Sequence, residues 1–348
     1  MSIYTKNQNN NDNMSTSRHE HKKKTKKKKP KKKFIIMMFI IYEFVFMSCT
    51  FPFILLYGPF ENAKKKFVGS AMTSMHFQCL AKWFLSDDEI KFIIGDNSEE
   101  TETDTTDIKS IDVSAANDDT IKSYTIDGNA RYKGYYIVVN NPKRVKVGIS
   151  SKLEVEGETT SEIAEHYGAV AAINGGSFVD KTSVKWTGTG AYPDGLVISG
   201  GGVIWDSTSN GGNTELFGIT QEGVLIVGRY SKDELKELNV QEALSFRPVL
   251  IVNGKKSAIN VDGGFAPRTA IGQRKDGAII LLVLDSKVIS RFGATYTEVQ
   301  EIMYKLGAMN AINLDGGRST TMYYDGEIIN SPENSMGERT IPTAVIVQ

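Results

Sequence analysis

Cysteine and histidine are scarce in this chain, which narrows the chemistry that it can carry. The only two cysteines are Cys49 and Cys79, so neither a disulfide framework nor a cysteine zinc site is expected in the C-terminal two thirds. Of four histidines, only His166 lies in that part, on a predicted helix where a surface or packing role is more frequent than a ligand role. Since no Gly-x-Ser-x-Gly turn occurs either, a serine–histidine–aspartate triad is not expected.

The sequence also lacks a metal-binding pattern and a basic C-terminal part. The aspartates do not follow the spacing of a calcium loop, so we expect no metal and no cofactor. The formal charge is zero, but residues 1–33 hold twelve basic and two acidic residues, which leaves 29 basic against 39 acidic residues in the remainder. Nucleic-acid phosphates require a basic face, so we predict no nucleic-acid partner.

The N-terminal part combines a polar tail with a long apolar run. Residues 1–33 are lysine-rich and are predicted to form a disordered cytoplasmic tail. Residues 34–57 are almost wholly apolar and exceed the roughly 20 residues that a bilayer span needs. The preceding lysines should stay in the cytoplasm, which would place the C-terminal domain outside the cell. The alternative is a signal peptide removed after export, but no convincing cleavage site follows Tyr57, which favours an uncleaved single-pass anchor.

Two further regions follow the predicted anchor. Residues 58–123 begin with a moderately apolar stretch and end in an acidic, threonine-rich one, which predicts a juxtamembrane stalk followed by a linker. Residues 124–348 form the predicted domain, whose length of about 225 residues is typical of a single unit.

Short apolar runs separated by turn residues dominate residues 124–348. Tight hairpins are predicted at Asn253-Gly254, Asp276-Gly277 and Asp325-Gly326. Helical patterns are fewer and cover about 160–167, 231–238 and 297–306. This arrangement predicts an α+β fold, with a mixed, mostly antiparallel β-sheet core and a few helices, preceded by a single transmembrane helix.

Two glycine turns stand at the ends of similar helix–strand patterns. Residues 311–322 read AINLDGGRSTTM, and residues 172–178 read AINGGSF. Tyr167-Gly168-Ala169 and Leu306-Gly307-Ala308 precede them in the same register. One interpretation is an internal repeat whose two turns face each other across a cleft. The other is that two amphipathic units obey the same patterning rules.

Charged residues also stand beside these and other turns. Arg268, Asp285 and Asp315 lie at the ends of apolar strands, where a lone charge is costly without a partner. Such side chains indicate a shared polar cleft, although single Asp-Gly pairs are often ordinary turns. Arginine and glycine-turn amides suit phosphate, and carboxylates suit proton transfer and glycoside cleavage. The residues alone therefore indicate an anion-binding hydrolase.

Four motifs together resemble the phosphodiester glycosidase family, which includes N-acetylglucosamine-1-phosphodiester α-N-acetylglucosaminidase. They are AINGGSF at 172–178, RTAIG at 268–272, LDGGRSTTM at 314–322 and GER at 337–339. The resemblance covers roughly residues 125–348. It implies a mixed fold whose loops form a cleft, and hydrolysis of a sugar-1-phosphodiester to a sugar and a phosphomonoester.

The resemblance also implies site residues. Asp315 is the leading acid–base or nucleophile candidate, with Asp285 or Glu338 as the second carboxylate. The predicted substrate-binding residues lie on the four motifs and are Asn174, Gly175, Gly176, Arg268, Thr269, Gly316, Gly317, Arg318, Ser319, Thr320 and Arg339. Arg268 is expected to hold the phosphate, and Arg339 to brace Asp315 or touch phosphate.

One position departs from the family pattern. The family turn usually reads DGGGSST, whereas Arg318 here replaces the third glycine and Thr320 replaces a serine. Arg318 adds bulk and charge at the mouth of the cleft, or supplies a phosphate contact for a more anionic polymer.

The favoured hypothesis is a membrane-anchored hydrolase that faces outward. It would cleave sugar–phosphate linkages in cell-surface polysaccharide, with the bilayer as its other partner through residues 34–57. A second hypothesis is a non-catalytic polysaccharide-binding or exopolysaccharide-biosynthesis accessory protein on the same fold. A third gives the function to the N-terminal part and leaves the domain as surface display.

Overall fold

The computed structural model describes nine stretches of the chain: 32–73, 78–94, 105–114, 118–180, 188–208, 213–260, 262–287, 293–331 and 337–348. Most of the predicted cytoplasmic tail and parts of the predicted linker lie outside these residues. The chain divides into two units, Met1–Gly58 and Pro59–Gln348.

The described part of the first unit consists mainly of one long helix, α1 (Lys32–Tyr57). Its mean hydropathy is 2.1, and its 26 residues correspond to about 39 Å at the rise of an α-helix. α1 is therefore long and apolar enough to cross a bilayer, although an N-terminal signal sequence meets the same criteria.

The second unit begins with three helices that pack on one another. They are α2 (Glu61–Thr73), α3 (Gln78–Lys82) and α4 (Asp87–Ile94). Their shared interior contains Val68, Ala81, Ile90 and Ile93, all of which are buried.

The segment after α4 reaches the sheets before the first strand begins. Thr106 is buried, and its hydroxyl donates to the Val227 carbonyl at 3.1 Å. Its amide donates to the Tyr230 hydroxyl at 3.2 Å, and the Asp107 amide donates to the Asn253 side chain at 2.8 Å. Residues 105–107 are thus fixed to the sheets ahead of the predicted start of the domain at residue 124.

Nineteen strands and three helices make up the rest of the described chain. The strands are β1 (Ile121–Ile126), β2 (Tyr132–Val139), β3 (Val145–Ile149), β4 (Ala171–Asn174), β5 (Phe178–Val179), β6 (Tyr192–Pro193), β7 (Leu196–Ser199), β8 (Gly202–Asp206), β9 (Thr214–Thr220), β10 (Leu225–Tyr230), β11 (Val240–Ser245), β12 (Val249–Val252), β13 (Lys255–Lys256), β14 (Arg268–Arg274), β15 (Ile279–Ser286), β16 (Ala308–Leu314), β17 (Met322–Tyr324), β18 (Glu327–Ile328) and β19 (Thr343–Val347). The helices are α5 (Thr160–His166), α6 (Lys232–Glu237) and α7 (Tyr296–Lys305).

The strands form three larger sheets and a short ribbon. The seven-stranded sheet has the order β1-β2-β15-β14-β16-β12-β13. The two five-stranded sheets have the orders β10-β9-β11-β7-β8 and β18-β17-β4-β19-β3, and β5 pairs with β6. Every strand pair in the described stretches is antiparallel. The prediction of an α+β fold with a mostly antiparallel core is therefore confirmed.

The three predicted hairpins are also confirmed. The turns at 253–254, 276–277 and 325–326 connect β12 to β13, β14 to β15 and β17 to β18. Asn253 and Asp325 both adopt a φ of +51°, followed by a glycine with positive φ. Tight hairpin turns require this backbone, and the right-handed twist of the flanking strands favours it.

The main hydrophobic core lies where the three sheets meet. Leu281 and Ile312 come from the seven-stranded sheet, Phe217 and Leu225 from one five-stranded sheet, and Val345 from the other. All five side chains are fully buried, and each contributes about 1.5–3 kcal/mol by leaving water. α7 covers the opposite face of the seven-stranded sheet, and α5 packs on β4 and β19.

α5 and α7 are built alike and lead to the two glycine turns. Each begins with a capping box, formed by Thr159 with Glu162 and by Thr295 with Glu298. Each is followed by a strand that ends at one of the turns, β4 after α5 and β16 after α7. His166 ends α5 and is exposed. The internal repeat stays a prediction, but the two units place their turns at the junction of two sheets.

Candidate active site

Asn174 joins the elements that build the site. It is the last residue of β4 and is fully buried. Its side-chain oxygen, Oδ1, accepts hydrogen bonds from the Thr269 hydroxyl at 2.7 Å and from the Thr321 backbone amide at 3.2 Å. Its side-chain nitrogen, Nδ2, donates to the Asp315 backbone carbonyl at 2.6 Å. One side chain therefore connects β4, β14 and the loop that follows β16.

The two glycine turns touch each other through their backbones. The Asp315 amide donates to the Gly175 carbonyl at 3.3 Å, and the Gly175 amide donates to the Thr343 carbonyl at 3.0 Å. A Cβ atom on Gly175 would lie 2.4 Å from that Thr343 oxygen, so a larger residue would push the strands apart. Gly176 and Gly316 are packed in the same way, against the carbonyls of Ser245 and Pro267. The turns expected to face each other are in direct contact.

The Asp315 carboxylate lies in this junction and is only partly exposed. Burial raises its pKa to about 6, since the charged form loses solvation. Hydrogen bonds from the Ser319 side chain and the Gly316 amide, and the positive charge of Arg339, oppose this rise, whereas the Asp180 carboxylate adds to it. Asp315 can therefore change its protonation state near neutral pH, as an acid–base group must.

Arg339 and Asp180 form an ion pair beside Asp315. Their side chains are 18% and 9% exposed, so water screens the pair weakly. The guanidinium also lies 4.7 Å from the centre of the Phe178 ring. The Gly190 amide donates to Asp180 at 3.1 Å. The site thus contains two carboxylates and an arginine that influence one another.

Sequence reasoning missed Asp180. The only available signal is its position, four residues after Gly176 of the first glycine turn and two after Phe178. Its role depends on Arg339, which lies 159 residues away along the chain. No local pattern connects the two residues.

Arg268 is directed away from Asn174. It is buried, and it donates to the Ala294 carbonyl at 3.0 Å and to the Gly263 and Gly264 carbonyls at 2.7 and 2.8 Å. Its guanidinium also lies 4.0 Å from the Tyr296 ring centre. Because side chains alternate along a strand, the next residue, Thr269, points to the Asn174 side. The Arg268 side chain therefore links the two chain segments that precede α7, at residues 263–264 and at Ala294.

The other two predicted carboxylates bind separate structural elements. Asp285 is buried and accepts from the Asn330 side chain at 2.8 Å and the Ser331 amide at 2.6 Å. Asn330 in turn donates to the Thr320 carbonyl at 3.1 Å, so Asp285 reaches the site loop indirectly. Glu338 accepts hydrogen bonds from the Ser161 amide and hydroxyl in the first turn of α5. Burial raises the pKa of Glu338, and the bonds from Ser161 oppose the rise.

The loop after Asp315 supplies further polar groups. Ser319 is buried and bonds the Asp315 carboxylate, whereas Arg318 is exposed. The hydroxyls of Thr320 and Thr321 and the side-chain oxygen of Asn313 are buried without a hydrogen-bond partner among the described residues. Such groups cost about 1–3 kcal/mol each when they stay unpaired.

The titratable residues do not suggest a metal centre. Within the stretches that the structure describes, no group of three or more histidine, cysteine, aspartate or glutamate side chains is placed to hold a metal ion. The chemistry available at the site is that of carboxylates, a guanidinium, hydroxyls and backbone amides.

A sequence model of the phosphodiester glycosidases matches residues 167–348. The chain belongs to the phosphodiester glycosidase family. The matched range includes Asn174, Asp180, Asp315 and Arg339, so the site described above lies wholly within the family domain. The resemblance inferred from the four motifs is confirmed.

Curated relatives carry the name N-acetylglucosamine-1-phosphodiester alpha-N-acetylglucosaminidase. The protein from Bos taurus is 30% identical over 195 residues, which are 51% of this chain and 35% of the relative. The protein from Mus musculus is 32% identical over 159 residues, which are 40% and 30%. The chain thus spans about a third of the length of these relatives.

A solved structure shares the fold. It is the zebrafish N-acetylglucosamine-1-phosphodiester alpha-N-acetylglucosaminidase catalytic domain, auto-inhibited by its pro-peptide. The match has a TM-score of 0.56 and 24% sequence identity, and it covers 67% of this chain and 84% of that one. At this identity the likeness shows the fold alone.

Proposed function

We propose that this protein hydrolyses a sugar-1-phosphodiester and that the sugar is N-acetylglucosamine. The observation that carries the proposal is the cluster of Asp315, Asp180 and Arg339 on the glycine turns of a phosphodiester glycosidase domain. The names of the bovine and mouse relatives support both the linkage and the sugar.

The reaction breaks the bond between C1 of the sugar and the bridging phosphate oxygen. Water supplies a hydroxyl group to C1, and the leaving group departs as a phosphomonoester. This leaving group is a stable anion, so it needs little protonation from the enzyme. The main requirements are a base or nucleophile at C1, stabilisation of the positive charge on the sugar ring, and positive groups for the phosphate.

Asp315 meets the first requirement. In its ionised form it takes the proton of the attacking water or attacks C1 directly, and its negative charge stabilises the oxocarbenium-like transition state. A pKa of about 6 leaves most of the carboxylate ionised at pH 7 while keeping it basic enough to accept a proton. Asp180 is the second carboxylate, placed by its pairing with Arg339.

Arg339 is the phosphate-binding residue in this proposal. A guanidinium presents five donors in a planar fork, so a phosphate oxygen can join or replace Asp180 as its partner. The exposed Arg318, on the loop after Asp315, adds further positive charge. Arg268, Asp285 and Glu338 support the loops, because their side chains bind structural elements around the site.

The proposed cellular setting rests on the N-terminal helix. We place α1 across the cell membrane with the lysine-rich tail in the cytoplasm, so that the domain faces outward and meets phosphodiester-linked surface polysaccharide. The length and apolar character of α1 support this arrangement, and the lysines before it support the orientation.

The test uses the purified full chain in detergent. It is incubated with UDP-N-acetylglucosamine and with a methyl phosphodiester of N-acetylglucosamine-1-phosphate, and free sugar is measured. We expect release by the wild type and at least a hundredfold loss in Asp315→Asn, because the base or nucleophile is removed. Asp127→Asn, which changes an exposed turn carboxylate, serves as the matched control. No release from any sugar-1-phosphodiester, or equal rates in Asp315→Asn, would refute the proposal.

A further inference from the structure

A groove of about 310 Å³ lies on the seven-stranded sheet, beside the C-terminal end of α7. Its floor comes from β1, β2 and β15, and Leu306 forms part of one wall. The side chains that give the groove its chemical character are Lys122, Tyr124, Tyr136 and Arg274.

Two tyrosines stack on each other in the groove. Tyr124 and Tyr136 are directly opposite each other in the β1–β2 pair. Their rings stack with centroids 4.8 Å apart and an angle of 15° between the planes. Tyr124 is 42% exposed, which leaves aromatic surface in contact with water. The C–H face of a sugar ring packs well on such a surface, and the hydroxyls of the tyrosines can bond the sugar.

The groove is lined by positive charge. Its eight lining residues, all within the described stretches, include the cations Lys122 and Arg274 and no carboxylate. Two carboxylates lie just outside the lining: Asp276 pairs with Arg274, and Asp118, which accepts from Asn140 at 2.8 Å, is close enough to Lys122 to interact with its charge. Lys122 is exposed and can move toward a phosphate.

The groove is separate from the catalytic cluster. Arg274 ends β14 and Arg268 begins it, so six strand steps, or about 20 Å, lie between them. The loop that carries Asp315 packs at the Arg268 end, where the Gly317 amide donates to the Pro267 carbonyl at 2.9 Å. The groove also lies on the α7 face of the seven-stranded sheet, whereas Asn174 bonds Thr269 on the other face. A ligand that fills both places must therefore be an extended chain that passes around the end of the sheet.

We propose that this groove is a second binding site, for an anionic glycan chain whose sugars stack on the tyrosine pair and whose phosphates meet Lys122 and Arg274. It holds the polymer while a phosphodiester farther along the same chain is cleaved at Asp315. The holding role in catalysis rests on the proposed function, whereas the binding itself does not.

Binding is measured with the full chain in lipid nanodiscs and with poly(N-acetylglucosamine 1-phosphate) as the probe. Asp315→Asn is the background, so that the probe stays intact. In that background we expect Tyr124→Ala to weaken the affinity about five- to thirtyfold, the usual effect of truncating an anchoring interface tyrosine. Lys122→Glu should weaken it as well, and more strongly at low salt than at high salt.

The control is Tyr304→Ala. Tyr304 is similarly exposed at 47%, but it lies on α7 against Lys256, outside the groove. It should leave the affinity unchanged. Tyr124→Ala could lose affinity because it folds poorly. Lys122→Glu changes only an exposed side chain and should fold normally, so it tests the groove independently. Unchanged affinity in both groove variants, or no binding of the probe to the parent protein, would overturn the second site.

Hydrolysis distinguishes this inference from the proposed function. In the active protein, Tyr124→Ala should raise KM for the polymer and leave kcat/KM for the methyl phosphodiester unchanged. If neither substrate is cleaved but the groove variants still lose affinity, the proposed function fails and the binding site stands. If the polymer is cleaved with the same KM in the wild type and Tyr124→Ala, the groove does not hold the substrate.

Discussion

Replacing Asp315 with asparagine should stabilise the protein at alkaline pH while abolishing its activity. Burial raises the pKa of Asp315 from an ordinary 3.8 to about 6 in the folded state. Well below pH 3.8 the carboxyl is protonated in both the folded and the unfolded chain, so it contributes no pH-dependent penalty. As the pH rises from about 4 to about 6, the unfolded chain ionises first, and the free energy of unfolding falls.

The size of this penalty follows from the shift. A difference of about two pKa units corresponds to about 3 kcal/mol, which is fully present above pH 6. Because the side chain is partly exposed, this is an upper value, and a gain between about 1 and 3 kcal/mol is expected. Asparagine keeps an oxygen for the hydrogen bonds from Ser319 and Gly316, so the geometry should survive. For a domain of this size the gain raises Tm by about 2–4 °C per kcal/mol.

The assay compares thermal unfolding of the full-length wild type and Asp315→Asn at pH 4.5 and pH 8. The difference in Tm should be clearly positive at pH 8 and only about a third as large at pH 4.5. Asp127→Asn, which changes an exposed carboxylate, should show no such dependence on pH. If Asp315→Asn gains no more at pH 8 than at pH 4.5, the carboxylate is not destabilised by burial and its assignment as the tuned group is wrong.

Three further predictions concern the same cluster. The kcat/KM for a sugar-1-phosphodiester should rise with pH through about 6 and then level off, because Asp315 acts in its ionised form. A fall in kcat/KM above pH 6 would mean that Asp315 acts as a proton donor and not as a base. Arg339→Lys should lower kcat/KM at least about tenfold with little change in Tm, because an ammonium group cannot reproduce the planar fork of a guanidinium. An unchanged kcat/KM would show that Arg339 does not bind the phosphate. Arg268→Met should cost about 3–5 kcal/mol in chemical denaturation, because three carbonyls lose their donor, and a loss confined to substrate affinity would instead assign Arg268 to phosphate.

Local rules explain what the sequence could predict. The hairpin turns and the glycine turns depend on a few neighbouring residues, and each could be predicted from spacing alone. The contact between the two turns matches one of the two interpretations of the parallel between the helix–strand units, although the parallel alone did not decide between them. Asp315 could be singled out because a charge directly after a buried strand needs a partner.

The remaining features depend on contacts between distant parts of the chain. Asn174 and Asn313 end the same Ala-Ile-Asn motif, yet Asn174 joins three elements whereas the Asn313 amide bonds the neighbouring Leu314 carbonyl at 2.7 Å. The direction of the Arg268 side chain depends on which face of β14 lies toward β4. The alternation of residues along β14 does not decide this, because either face could have been turned toward β4. The pairing of Asp180 with Arg339 required knowledge of the whole fold.

The fixed position of Thr106 limits how far the sheets can move from the three short helices. α4 ends at Ile94, and Thr106 is hydrogen-bonded to Val227 and Tyr230. Twelve backbone steps lie between these residues, so even a fully extended connection spans no more than about 40 Å. Any displacement of the sheets, and of the catalytic cluster on them, away from these three helices is therefore confined to that length.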